Sequence, residues 1–356
     1  MAKTDYDYLI VGQGIAGTSL GMHLVEAGKS FQIIGDSSLP SSSKVAAGIF
    51  NPLTGKKLVK TWLADDLFPY ARNFYSTLEK KFSCQLVHEM PIYRPFRSIE
   101  EQNTYLAQTA DPKIAPYISQ NEVPADVSDY IHAGHGGIEV IQAGWIDLPK
   151  LLVESRRFFS ENNQFVEARF YMDDVRISEF GVIWNNKIFS KIIFCQGFMA
   201  LENQLFDWLP FTPVKGQILK VSTETHLKPY IINQGIFMLP DSESTMRVGA
   251  TYSWDPLDWE PTQEATEELD GKLRSIFKCK YTIKTGIAGI RPSVKDRRPL
   301  IGLHPKHRNV GIFNGLGTKG VTLAPFFANQ FVGHLESGKE LNPAVNIDRY
   351  FSLYFR

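Results

Sequence analysis

Two short runs of apolar, β-type residues, Tyr8-Leu9-Ile10-Val11 and Phe31-Gln32-Ile33-Ile34, bracket a segment in which Ile15, Leu20, Leu24 and Val25 recur at near-helical spacing. That segment stops at Ala27-Gly28. The pattern predicts strand, helix and strand in direct succession at the start of the chain. Further on, Leu67, Tyr70, Ala71, Phe74, Tyr75 and Leu78 fall on one face of a second predicted helix, followed by proline-broken polar segments up to about residue 143. Alternating stretches such as Gln217 to Ser222 and Gly235 to Leu239 predict strands between about residues 203 and 281. No internal repeat, low-complexity tract or long charge run interrupts this texture.

The first predicted strand runs directly into Gly12-Gln13-Gly14-Ile15-Ala16-Gly17. In that context Gly12 makes the tight turn, Gly14 lets the backbone approach a pyrophosphate, and Gly17 lets the helix lie close to the sheet. The helix N-terminus, beginning at Ile15 and Ala16, then faces the phosphate charge. A glycine loop alone is a weak signal, and its plain alternative is an empty structural turn; the flanking βαβ pattern favours dinucleotide binding. The acid expected to hold a ribose falls one place past the end of the second strand, at Asp36, which could also be a turn cap before Ser37 and Ser38.

Length and composition set the class around this motif. A chain of 356 residues suits two interlocked domains, and 43% hydrophobic residues suffice for a sizeable core. Lys plus Arg and Asp plus Glu both total 38, so no global field favours nucleic acid or an anionic membrane. The start of the chain lacks an apolar signal core and no run of about 18 apolar residues occurs, so a cytoplasmic protein without a membrane span is expected. The 3 cysteines, Cys84, Cys195 and Cys279, lie far apart in no ligand spacing, which predicts reduced thiols and no metal site. His132 with His135, and His304 with His307 flanking Pro305, read as loop residues before they read as ligands.

The glycine motif does not separate FAD from NAD, and an NAD-dependent dehydrogenase would need only that motif. The next loop, Ser41-Ser42-Ser43-Lys44-Val45-Ala46-Ala47-Gly48-Ile49-Phe50-Asn51-Pro52, resembles the one that lies along the FAD in the D-amino-acid oxidase, glycine oxidase and sarcosine oxidase family. Small side chains at Ser43, Ala46, Ala47 and Gly48 suit that placement, because they expose backbone N–H groups. The resemblance continues in order along nearly the whole chain. Gly144-Trp145-Ile146-Asp147-Leu148-Pro149 is similar to the segment before the helix that leads back to the FAD domain, and Asp173-Asp174-Val175-Arg176-Ile177 to the strand whose valine contacts the adenine side. Ile192 to Gly197 resembles the strand end beside the cofactor, Pro213-Val214-Lys215-Gly216-Gln217-Ile218 the crossing into the substrate domain, and Met246 to Thr251 the family's R-x-G-A-T strand. Two C-terminal motifs are the most specific: Gly289-Ile290-Arg291-Pro292 continuing to Gly302, and Gly315-Leu316-Gly317-Thr318-Lys319-Gly320-Val321 continuing to Pro325.

The resemblance implies an α/β fold with a Rossmann-type FAD-binding domain assembled from residues 1–60, 144–202 and 282–356. A second, sheet-containing α+β substrate domain would be built from residues 61–143 and 203–281. It implies FAD-dependent oxidation of a C–N bond in an amine or amino acid, with dioxygen or another acceptor taking up the electrons. Arg291 matches the guanidinium that grips a substrate carboxylate at the border with the cofactor, a task suited to its planar fork; a salt bridge to a nearby acid is the structural alternative. Gly315, Gly317, Thr318, Lys319, Gly320 and Val321 would form a turn and helix start beside the flavin pyrimidine edge, although Lys319 could equally be an exposed capping lysine. Tyr252, after the Ala250-Thr251 strand end, would line the substrate pocket, although an aromatic in a strand is more often core packing, and Trp254 is given no role. Some family members attach FAD to a cysteine just before the Arg291 position; here that stretch is Ile287-Ala288-Gly289-Ile290, which implies non-covalent FAD. The segment Gly315 to Pro325 also looks close to that of the flavin domain of tRNA-modifying enzymes that remove a carboxymethyl group from a uridine side chain. A protein that binds flavin without catalysis is a further alternative.

Overall fold

The structure is a computed structural model that describes residues 4–55, 57–119 and 127–354. Its first sheet has a parallel centre ordered Phe165–Glu167, Phe31–Gly35, Tyr6–Val11, Lys187–Phe194 and Val310–Asn314. Antiparallel strands Gly181–Trp184 and Arg176–Ser178 extend it beside the first half of Lys187–Phe194, and Leu300–Leu303 pairs outside Val310–Asn314. The apolar runs are continuous because both faces of this sheet are covered. Tyr8 and Ile10 point into one core cluster with the helices, while Leu9 and Val11 point into another with Val182, Phe189 and Ile312.

The helix Ile15–Glu26 is buried along its length from Ile15 to Leu24, because it lies between the first sheet and the helix Gly320–Ser337. This explains why its apolar spacing is only approximately helical: a helix covered on every side needs no single apolar stripe. The amphipathic segment near residue 70 forms the helix Ala64–Phe82, with Leu67, Ala71, Phe74, Tyr75 and Leu78 all buried.

The second sheet runs in the order Tyr281–Arg291, Val214–Thr223, Thr245–Gly249, Phe237–Pro240, Ile231–Asn233, Ile92–Pro95 and Gly137–Val140. One face carries Leu219, Val221, Met246 and Val248 against the helix Gln263–Ile276, whose Leu269, Leu273 and Ile276 are fully buried. The opposite face looks into the cleft described below.

Two boundaries differ from those expected. The strand Tyr281–Arg291 belongs wholly to the second sheet, so the return to the nucleotide-binding unit comes after Arg291 rather than at residue 282. The helix Ala64–Phe82, expected in the second unit, packs against Gly320–Ser337 of the first. Its apolar face matches that helix, whereas the second sheet already has its own covering helix.

Candidate functional site

One cleft of about 770 Å³ opens between the ends of the parallel strands and the uncovered face of the second sheet. The ends of α/β strands are where this type of sheet leaves room for a ligand. Gly12 and Gly17 make the approach possible. A Cβ on Gly17 would sit 2.0 Å from the Gly12 carbonyl oxygen, and one on Gly12, whose φ is +103°, would sit 2.6 Å from the Cys195 oxygen. Neither position tolerates a side chain. Gly14 is different: a Cβ there would meet only the Ser43 hydroxyl, at 3.3 Å, so the glycine keeps open a cradle on the cleft side.

Two helix N-termini line the same cleft. Ile15–Glu26 has Gly14 at its N-cap and Gly320–Ser337 has Lys319, and neither cap residue satisfies its helix with a side chain. The 41–48 loop closes over the first helix, where the Ile15 amide donates to Ser43 Oγ at 3.1 Å. Ser42 Oγ in turn donates to the Ile290 carbonyl oxygen, tying this loop to the strand that carries Arg291. Two helix starts whose N-cap residues supply no side-chain cap suit an anionic dinucleotide with an electron-accepting ring. Asp36, just past the end of Phe31–Gly35, also lines the cleft. Its carboxylate accepts from the Ser38 hydroxyl and amide, which holds it below the usual carboxylate range and so ionised, as a ribose hydroxyl acceptor must be.

Most of the residues expected at the site come together here: Gly12, Gly14, Ile15, Ala16, Asp36, Ser43, Ala46, Ala47, Gly48, Gly197, Tyr252, Arg291, Gly317, Thr318, Lys319, Gly320 and Val321 all line the cleft. Gly17 and Gly315 lie behind its wall. A Cβ on Gly315 would approach Val294 Cγ2 to 2.8 Å, so this glycine serves packing beneath the turn. Val175 is not among the residues that line the cleft. It follows a single 3-10 turn, Met172–Asp174, whose Met172 does line it, and leads into Arg176–Ser178 at the edge of the sheet. The strand beside Phe31–Gly35 is Phe165–Glu167, and Ala168 to Met172 after it line the cleft.

Gln13 and Arg156, which no local sequence pattern marks, also line the cleft. The Gln13 side chain is buried, donates to the Leu152 carbonyl at 2.9 Å and accepts from Arg156 Nε at 2.9 Å, which fixes that guanidinium in the cleft wall. Only their contact across 143 residues reveals the pair.

Arg291 ends its strand with its guanidinium in the cleft. One N–H donates to the Thr251 carbonyl oxygen at 3.3 Å, and the Tyr252 ring lies 4.6 Å from Cζ. Among the described residues no carboxylate pairs with it. Burial without an acid lowers its proton affinity, partly offset by Tyr252. Lys319 is likewise a wall residue rather than an exposed cap: its Nζ lies 3.4 Å from Thr61 Oγ1, and burial, then Arg298 and Arg297, depress its pKa. Cationic groups held near one another without acids favour anionic ligands.

This cleft, the doubly covered parallel sheet above it and the second sheet below define a nucleotide-dependent oxidoreductase architecture. Residues 7–332 match the DAO family of FAD dependent oxidoreductases, and the chain belongs to that family. Glycine oxidase of Bacillus subtilis is 31% identical over 153 residues, 39% of this chain and 39% of the relative. A tRNA 5-methylaminomethyl-2-thiouridine biosynthesis bifunctional protein of Shewanella amazonensis is 22% identical over 90% of this chain and 55% of its own length. The chain thus spans between about two fifths and about half of these curated relatives. Iminodiacetate oxidase from Chelativorans sp. BNC1 shares the fold, with a TM-score of 0.76 at 20% identity over 96% of this chain and 98% of that one. FAD is the cofactor of the family, and the open cradle at Gly14 and the two uncapped helix starts fit it. No helix among the described residues is long and apolar enough to cross a membrane.

Proposed function

We infer that this chain oxidises a C–N bond adjacent to a carboxylate, in a small amino acid or N-substituted amino acid, with FAD held non-covalently. The observation that carries this reading is Arg291, a guanidinium in the cleft wall that has no acidic partner among the described residues. An arginine desolvated without a counter-charge is unfavourable unless a ligand completes it, and a carboxylate matches its planar fork with two parallel hydrogen bonds. Thr251 holds one N–H and the Tyr252 ring covers the guanidinium plane, which leaves the remaining donors to fix an incoming acid in one orientation. Gly12, Gly14 and the Ile15 helix start would hold the pyrophosphate, Asp36 the ribose, and the Lys319–Val321 turn the ring. Bound FAD supplies the hydride acceptor. No cysteine stands in the stretch before Arg291, where a covalent attachment would need one.

A second reading places the carboxylate-bearing amine on a tRNA nucleoside, and the relative aligned over 90% of this chain favours it. The equal totals of 38 basic and 38 acidic residues supply no overall field for a polyanion, which leaves the small-molecule reading ahead. The deciding experiment is an anaerobic screen of amino acids, N-carboxymethyl amines and their decarboxylated counterparts, read by bleaching of the flavin absorbance. Bleaching by acids alone supports the proposal. Bleaching by neither class, or equally by both, overturns it, and a tRNA band shift together with silence towards all free amino acids selects the second reading.

A further inference from the structure

The strand Val214–Thr223 carries Lys215-Gly216-Gln217 along the edge of the cleft, and each of the three residues has a different task. Gly216 gives room to Arg291: a Cβ there would lie 2.2 Å from Nη2 and 2.5 Å from Cζ of the guanidinium. Gln217 clamps both ends of the segment between Thr251 and Thr262. Its amide donates to Thr251 Oγ1 at 2.9 Å, its Oε1 accepts from the Thr262 amide at 2.7 Å, and its Nε2 donates to Thr266 Oγ1 at 2.7 Å. The segment so held contains Tyr252, which covers Arg291, and Trp259, which lines the cleft and meets Phe198 edge-on at 6.1 Å. No helix or regular strand lies within it.

Its middle is fastened by Lys215. The residue is only 4% exposed, yet its ammonium reaches Asp258 Oδ1 at 2.5 Å, and Asp258 Oδ1 also accepts from the Glu260 amide at 3.0 Å. The Lys215 backbone exchanges two hydrogen bonds with Ser253, at 2.9 and 3.0 Å, so the strand holds the segment at its start and at its crest. A lysine drawn out of water to make one ion pair is a poor choice for stability alone, since an apolar side chain of similar size serves as well or better. The arrangement gives something an apolar side chain lacks: a directed tether to a point on an irregular loop.

We propose that Lys215 is a positioning residue, whose ion pair with Asp258 latches the 251–262 segment so that Tyr252 and Trp259 bound the carboxylate site at Arg291. The proposal rests on the reading of Arg291 as the carboxylate anchor. Release of the latch lets Tyr252 leave the guanidinium and widens the site, so substrate binding weakens while the groups around the cofactor stay in place.

The test uses FAD-loaded Lys215→Met, Lys215→Arg and Asp258→Asn proteins. In both Lys215→Met and Asp258→Asn the KM for the best carboxylate substrate rises about tenfold with kcat little changed, the direction expected when a positioning contact is lost. FAD affinity is unchanged, and amide hydrogen exchange across residues 252–260 accelerates. Lys215→Arg restores most of the binding, and the Lys215→Met, Asp258→Asn double variant is no worse than either single one. Asp258→Asn is a surface change and carries the test if Lys215→Met does not fold. Unchanged exchange in the segment, or faster exchange with an unmoved KM, overturns the latch. Failure of the Arg291 reading shows separately, as an Arg291→Ala protein that binds carboxylates as well as its parent, and leaves the exchange result standing.

Discussion

The Tyr75 hydroxyl donates to the main-chain carbonyl of Val321 at 2.7 Å, and this is the carbonyl that Pro325 leaves without a helical partner. A proline inside a helix removes the N–H that would bond four residues back. Here the gap falls in the first turns of Gly320–Ser337, beside the cleft, and a side chain from Ala64–Phe82 fills it. Burial pushes the Tyr75 hydroxyl well above its ordinary pKa, so it remains a donor across the working range. Tyr75→Phe keeps the ring and loses the bond, leaving a buried carbonyl unpaired at a cost of about 1 to 3 kcal/mol. A lower denaturant midpoint with an unchanged slope is the expected result, and an unchanged midpoint would show that water replaces the hydroxyl.

The glycine loop separates folding from cofactor binding. Gly14→Val meets only the flexible Ser43 side chain, so the protein is expected to fold and to purify without flavin, because the new methyl groups occupy the cradle. Gly17→Val drives a side chain into the Gly12 backbone and is expected to fail at folding itself. Far-ultraviolet circular dichroism with flavin absorbance distinguishes the two outcomes, and full flavin occupancy in a folded Gly14→Val protein would place the pyrophosphate elsewhere.

What the sequence revealed about this site follows the range of the interactions. The turn at Gly12 to Gly17 and the loop at Ala46 to Gly48 are local, and their residue types state their geometry. The strand Phe165–Glu167, whose following residues Ala168 to Met172 line the cleft, went unmarked because it is only 3 residues long, while Val175-Arg176-Ile177 displays the stronger alternation. The roles of Lys215, Gln217 and the Gln13 to Arg156 contact were hidden for a similar reason. Each depends on a partner dozens of residues away, and a lysine or glutamine in a strand carries no mark of being buried. The boundary at residue 282 moved because a strand end was read from motif order, whereas the pairing of Tyr281–Arg291 with Val214–Thr223 runs through to Arg291.

His304 gives a pH dependence independent of the cleft. It is 7% exposed, its Nδ1 accepts from the Lys306 amide at 3.1 Å, and burial, with His307 and Lys306 nearby, brings its pKa down from the usual 6.5 to about 4. The folded state therefore keeps this ring neutral where the unfolded chain protonates it. Its stabilising contribution is complete above pH 6.5 and is lost as the pH falls towards about 4. His304→Asn retains an acceptor for Lys306 but cannot titrate. The variant is expected to lose less stability than the parent between pH 6.5 and pH 4 in denaturant titrations. Parallel curves for the two proteins would assign the acid sensitivity to other groups.

Arg291 is the residue on which the proposed chemistry turns, and graded substitutions separate its charge from its shape. Arg291→Lys keeps a positive charge in the cleft but loses the planar fork, and Arg291→Ala loses both, so activity towards a carboxylate substrate should fall in that order. A hydrogen bond to a charged group contributes roughly 1.5 to 3 kcal/mol, which makes a loss of about tenfold to a hundredfold in kcat/KM the expected size for the alanine protein. FAD occupancy should stay unchanged, since the residues expected to cradle the pyrophosphate and ribose lie on other elements. Decarboxylated analogues should react poorly with the parent and lose little more in the variant, because the contact they would report is already missing. Gly216 adds a steric control: Gly216→Ala places a Cβ against the guanidinium and should reproduce part of the Arg291→Ala defect with the arginine still present. Equal losses for acids and plain amines in the Arg291 series would make the arginine a structural group, and the assignment to carboxylate-bearing substrates would fall with it.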